Sequence, residues 1–437
     1  MARQHSQSVS AGVSTARLRR AVQFAAIASA ATLLTAACGS SAKTVGASPG
    51  GNGAQAGQSS SAAGGATPSP TSAVPTANLV LTDNPADGVK GADPSKGIQV
   101  SAAGGQLESV TAADSTGHAV QGTLAADGSS WSSTGTLAIS SSYTVQAKAK
   151  DGSGAEKTTT STFTTLTPQK KLGLDHYFPD DGMTVGVGQP VAVYFTHAPA
   201  ESGRAAVEKA MTVTTTPHVD GAWSWMSPTQ VDWRPQGYWA SGTKVAVAMN
   251  LNGVKAGDIT YGSFTRSFGF TIGVDQRAVI DAKNFHMTVT SGGQVVKTIP
   301  TDAGKAGFST WGGTMVVLDK ESVIEMKSCS VPGFSCTPGG ATYYDLKVYN
   351  DVHLTTSGTY IHQAEWDSNI GTDNTSHGCV HLKPADATWF YNFIHVGDPV
   401  TINGEPDQVH QGNGYTDWNE DWPTWLKGSA AGLSAGQ

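Results

Sequence analysis

Charge is in short supply in this chain. Only 14% of the 437 residues are Asp, Glu, Lys or Arg, and 34 acidic against 27 basic side chains leave a net charge of −7. A nucleic-acid-binding face needs a dense basic patch, so nucleic acid is excluded as a partner. Cysteine is scarcer still: Cys38, Cys329, Cys336 and Cys379 are all there are. Four are too few for a disulfide-built scaffold, so each is read by its own neighbourhood. The uncharged run Ala21–Ala37 falls short of the roughly 20 strongly apolar residues a spanning helix needs. Hydrophobic content is a low 38%, and one long stretch holds almost nothing that can be buried. The length suits about three domains.

At the front, Arg3, Arg17, Arg19 and Arg20 precede that Ala/Ser-rich run, which ends in small residues. A basic head, an apolar centre and a small-residue end predict an export signal over residues 1–37. Leu34-Thr35-Ala36-Ala37-Cys38 resembles the lipobox of bacterial lipoproteins, with Thr35 where Leu is usual. The resemblance implies lipidation of Cys38 and a membrane anchor at the outer face of the cytoplasmic membrane. Residues 38–77 are Gly, Ser, Ala, Thr, Pro and Gln with Lys43 as the single charge and no aromatic. Such a segment cannot offset the entropy of ordering, so it reads as a tether.

Short alternating runs separated by Asp-Gly and Asn-Pro signals fill residues 78–168, as in Tyr143-Thr144-Val145-Gln146-Ala147. Strands of this length, with turns every eight to twelve residues, predict a small antiparallel sandwich. A second β module spans 169–273, with Val191-Ala192-Val193-Tyr194-Phe195 and Lys244-Val245-Ala246-Val247-Ala248 among its strands. Its tryptophans, Trp223, Trp225, Trp233 and Trp239, read as core or seam filling before a sugar-stacking platform. The fold class is therefore all-β dominated: two tandem immunoglobulin-like sandwiches, then a mainly-β unit at 274–404. A tail at 405–437 carries Trp418, Trp422 and Trp425 at amphipathic spacing and is expected to pack on that unit or its seam.

The chemistry concentrates in Gly358-Thr359-Tyr360-Ile361-His362 and, starting 14 positions after His362, Ser376-His377-Gly378-Cys379-Val380-His381. A thiol with a reference pKa of about 8.5 is mostly protonated at neutral pH, so a nucleophilic Cys379 needs a neighbouring base. A histidine supplies that base and returns the proton to a leaving amine. Gly378 permits a tight turn that presents the Gly378 and Cys379 N–H groups to an oxyanion. Zinc on His362, His377, Cys379 and His381 is the competing reading, weakened by the missing second Cys or carboxylate ligand.

These residues resemble the L,D-transpeptidase catalytic domain, whose signature is a His, a gap of some fifteen residues, then Ser/Thr-His-Gly-Cys. The likeness covers 274–404 and includes Tyr360-Ile361-His362, Trp366 and Asn374-Thr375-Ser376-His377-Gly378-Cys379-Val380. The order of lipobox, tether, two immunoglobulin-like modules, catalytic domain and Trp-rich tail resembles the enzymes of high-GC Gram-positive bacteria. The resemblance implies Cys379 as nucleophile, His362 as base and acid held through the Gln363 carbonyl, and His377 as a supporting group. It implies substrate contacts at Tyr344, Ser357, Gly358, Trp366, Ser376 and His381, where His381 replaces a usual Asn or Arg. No cofactor or metal is implied. Substrates would be peptidoglycan stem peptides, as donor and acceptor in 3→3 cross-linking with release of D-Ala, and carbapenems would acylate Cys379. Water as acceptor gives an L,D-carboxypeptidase; a wall-binding scaffold disabled at His381 is the non-enzymatic alternative. Cys329 and Cys336 flank Pro332-Gly333 in the family's lid segment, and a disulfide between them is expected in an exported protein.

Overall fold

The computed structural model describes residues 78–432 apart from Pro332. The export signal, Cys38 and the tether lie outside the described residues. Among these residues no helix is long and apolar enough to cross a membrane.

Period-two patterning builds the first sandwich. In the strand Ser142–Asp151, Tyr143, Val145, Ala147 and Ala149 point inward while Thr144, Gln146 and Lys150 stay exposed. It pairs antiparallel with Gly105–Asp114 on one side and Glu156–Thr164 on the other. A four-stranded sheet containing Val80–Asn84 and Gln99–Ala103 closes over it, and Ile98, Val100, Trp131 and Phe163 fill the space between.

The second sandwich is built from two four-stranded sheets. Its strand Val191–Phe195 breaks the alternation, with four of five residues buried. The cause is cover on both faces. Val191, Val193 and Phe195 enter the module's own core with Trp223, Trp225, Trp233 and Trp239, so these indoles fill a core rather than form a platform for sugars. Ala192 and Tyr194 face outward, onto Val316, Leu318, Tyr415 and Trp418 of the following region. Gly186 lets the backbones meet at this seam: its N–H donates to Val396 O at 2.8 Å, and a Cβ there would fall 2.2 Å from Asp398.

The third region pairs a five-stranded sheet, centred on Gln276–Asp281, with a four-stranded sheet ordered Asp319–Lys327, Asp345–His353, Tyr360–Gln363, Val380–Leu382. Ile280, Met287, Val289, Val352, Ile361 and Val380 fill the core. The helix Pro384–Phe393 starts on a proline at its first turn and buries Ala387 and Phe390 against that core. Tyr360–Gln363 and Val380–Leu382 run parallel, with His362 opposite His381. That register sets the site.

The tail returns to the second sandwich. Trp425, fully buried in the helix Trp422–Lys427, donates from Nε1 to Ala222 O at 2.9 Å. Arg234, 1% exposed, lies under the rings of Trp418, Trp422 and Trp425 and donates to Glu420 O at 2.8 Å.

Candidate active site

Cys379 ends the turn Ser376-His377-Gly378 and directly precedes the strand Val380–Leu382, which carries His381. Gly378 has φ 121°, a backbone state that L side chains rarely adopt. Ser376 braces the turn: its hydroxyl donates to Cys379 O at 2.6 Å and accepts from Gly378 N at 3.1 Å. The Gly378 N–H expected to meet an oxyanion is thus already engaged. Ser376, 2% exposed, braces the turn and also lines the cavity that Cys379 opens into.

The thiol donates to Gly358 O at 3.8 Å, and Cys379 is free of any disulfide. Burial pushes the thiol up to about 12; the Tyr360 amide pulls the other way, while Asp351 and Asp302 add to the rise. His362, 3% exposed, sets Nδ1 2.8 Å from Gln363 O. A carbonyl only accepts, so Nδ1 carries the proton and Nε2 is left basic. Burial, then the neighbouring His381, push the imidazole down to about 3, against the Gln363 carbonyl. At rest the two side chains are therefore a thiol and a neutral imidazole.

Both side chains open into a cavity of about 660 Å³. Ser357, Gly358, Trp366, His377 and His381 also line it, as do Phe308, Phe334 and Tyr344. His377 packs edge-on against Phe308 at 4.8 Å and lies 3.1 Å from Lys305 Nζ; burial and that ammonium lower its proton affinity. Ser357 is fixed by Asn413, whose Oδ1 accepts from its N–H and whose Nδ2 donates to its hydroxyl, both at 2.9 Å. Tyr344 stands on the wall near Phe334 and His377. Trp366, 47% exposed, forms the rim. Cys329 and Cys336 are disulfide-bonded in the segment that supplies Val331 and Phe334 to the wall.

The zinc set weighed from the sequence does not assemble. The Lys305 ammonium, 3.1 Å from His377 Nε2, repels a cation there, and these four side chains do not bring their ligand atoms together as one group. Instead His381 Nδ1 lies 2.8 Å from Asp367 and 3.1 Å from Asp302, a group whose ligand atoms all fall within 4.8 Å of one another. Sequence reading missed both acids. Asp367 follows Trp366 in the signal stretch, but Asp302 lies 79 positions before His381 and reaches it through an isolated antiparallel bridge. Asp351 was missed too: 1% exposed with neither oxygen hydrogen-bonded, it is raised to about 7 by burial and by Glu321.

Residues 275–402 match the family of L,D-transpeptidase catalytic domains, and 89–255 match the bacterial Ig domain family, across parts of both sandwiches. L,D-transpeptidase 2 of Mycobacterium tuberculosis is 36% identical over 361 residues, 82% of this chain and 87% of that protein. The chain belongs to the L,D-transpeptidase family. L,D-transpeptidase 5 of the same species is 31% identical over 80% of this chain and 77% of its own length. A solved L,D-transpeptidase in complex with imipenem aligns with 53% of this chain and 99% of its own, at 30% identity and a TM-score of 0.45. L,D-transpeptidases are acyltransferases, and this chain pairs such a catalytic domain with immunoglobulin-like modules.

Proposed function

We propose that this L,D-transpeptidase forms 3→3 cross-links in peptidoglycan through a thioester on Cys379. The observation that carries the reading is one free thiol, just before the strand Val380–Leu382, and one carbonyl-oriented imidazole on the parallel neighbouring strand, both lining one open cavity. Cys379 attacks the carbonyl of the diamino acid at the third position of a tetrapeptide stem. Its proton passes to His362 Nε2 and from there to the leaving D-Ala amine. The depressed proton affinity of His362 favours that second transfer, because the buried imidazolium is a strong acid. The side-chain amine of a second stem then attacks the thioester, giving its proton to His362, and the thiol is restored. In this reading the N–H of Cys379 meets the oxyanion.

Tyr344, Ser357, Gly358 and Trp366 line the donor groove in this reading, and carbapenems acylate the same sulfur. A lipid on Cys38 would hold the enzyme at the outer face of the cytoplasmic membrane. Incubation of the soluble region with disaccharide-tetrapeptide, beside Cys379→Ala, tests the reaction. Cross-linked dimer plus free D-Ala, absent in the variant, is expected. Tripeptide alone would make the protein an L,D-carboxypeptidase, and untouched substrate with both proteins would remove the enzymatic reading.

A further inference from the structure

His381 has one nitrogen buried among acids and the other left open. Its Nδ1 faces Asp367 Oδ2 at 2.8 Å and Asp302 Oδ1 at 3.1 Å, and those side chains are 5% and 0% exposed. Behind them the Thr375 hydroxyl lies 2.7 Å from Asp367 Oδ2 and 2.6 Å from Asp302 Oδ2. The Thr375 N–H also donates to Asp302 Oδ2, at 3.1 Å. A hydroxyl carries one hydrogen, so it serves one carboxylate at a time; the single Nδ1–H bonds Asp367, while Asp302 Oδ1, with no hydrogen bond of its own, faces the ring. Burial opposes a charge on His381, yet bonds and attraction from Asp302 and Asp367 outweigh it and raise its proton affinity. Burial likewise opposes charge on Asp367, but His381 and Thr375 hold it down at about 2. The two buried acids at Nδ1 thus favour the imidazolium form of the ring.

Both nitrogens of an imidazolium donate. Nε2 lies across the ring from Nδ1, and among the described residues it has no hydrogen-bond partner, while His381 lines the cavity. The acids sit behind the ring, so a ligand meets the Nε2–H first. The other groups facing His381 are the His362 ring at 4.9 Å and the Trp366 ring at 6.0 Å. His377, paired with Lys305, and Cys379 complete the wall. Its open donors match an acceptor-only group, which a carboxylate is and a carboxamide is not.

We propose that the Asp302–His381–Asp367 triad holds His381 as a fixed cationic donor that selects acyl-donor peptides bearing a free carboxylate over their carboxamide counterparts. This rests on the reading of the cavity as a stem-peptide site. Such a peptide offers that group in two places, at the C-terminal D-Ala and on the diamino-acid side chain. His381 is the specificity residue; Asp302 and Asp367 are positioning residues.

The test compares three tetrapeptide donors: both carboxylates free, D-Ala carboxamide, and diamino-acid carboxamide. A charge-assisted bond against a neutral one predicts that one of the two amidations lowers kcat/KM about tenfold, mainly through KM, and identifies the carboxylate. In His381→Asn the fully acidic donor loses about that tenfold and the ratio falls to near one. Asp367→Asn tests the positioning role: with one acid gone the ring loses its proton at lower pH. The carboxylate preference, present while the ring is charged, should then vanish at a lower pH than in the wild type. Calorimetric binding of the same peptides to Cys379→Ala reads the ratio without turnover, so an inactive enzyme defeats the proposed function and leaves this inference to be judged by binding. Equal binding of all three donors would overturn it, as would a ratio unchanged in His381→Asn. Stoichiometric zinc in the purified enzyme, lost in Asp367→Asn, would also overturn it by making the triad a metal site.

Discussion

Arg234 and His381 are both buried, and they are held in opposite ways. At the tail seam, Arg234 is closed in by three indole rings and by the carbonyls of Pro235, Gln236 and Glu420. In the catalytic cleft, His381 is pinned at one nitrogen by two acids and keeps the other free toward the cavity. The first arrangement uses its ring contacts and the Glu420 bond to join the tail to the second sandwich. The second leaves a donor unspent. A buried charge that is enclosed on all sides reads as structure; one with an open face reads as function.

Variants separate the two regions. Cys379→Ala should abolish acyl transfer, by about a thousandfold or more, with thermal unfolding unchanged, read by product release and a melting curve. Trp425→Ala should do the reverse: it empties the seam and costs about 3–5 kcal/mol of stability by denaturant titration, while the folded fraction keeps its turnover. Loss of catalysis in step with stability would erase the distinction drawn here.

Smaller effects refine it. Replacing both Cys329 and Cys336 by Ser should loosen the wall that carries Val331 and Phe334, raising KM about two- to fivefold with kcat retained in steady-state kinetics. At the seam, Asp232 and Asp417 are buried together. Burial and mutual repulsion raise Asp232 well above the usual carboxylate range, and burial raises Asp417 to about 6. A folded acid with raised proton affinity stabilises the fold while protonated and loses that contribution as pH rises. The melting temperature should therefore fall by a few degrees between pH 5 and pH 8, and Asp232→Asn should flatten the curve. A wild-type curve that rises over that range contradicts the assignment.

Much of this was legible in the sequence because the patterns are local. Alternation in Tyr143–Ala147 fixes a half-buried strand, and the run Val191–Phe195 betrays a strand covered on both faces. His362, His377, Gly378 and Cys379 lie within eighteen positions, and parallel pairing of two short strands brings them to one wall. What stayed hidden depends on distant pairings. Asp302, outside any strand, meets His381 through an isolated bridge, and no periodicity connects them. Ser376 lines the cavity, as a substrate contact would, but the bracing of the turn by its hydroxyl has no linear signature. The tail's tryptophans were expected to pack on the catalytic unit or its seam. Their partner Arg234 is anonymous in the sequence, because a cation–π cage has no linear signature.

The most direct test of the central claim is intact-protein mass spectrometry of the enzyme quenched in acid after brief mixing with a disaccharide-tetrapeptide donor, followed by peptide mapping. The account predicts one added disaccharide-tripeptide acyl group on Cys379, removed by hydroxylamine and absent from Cys379→Ala. Cross-linked product formed with no adduct at Cys379, or an adduct on another residue, would contradict it.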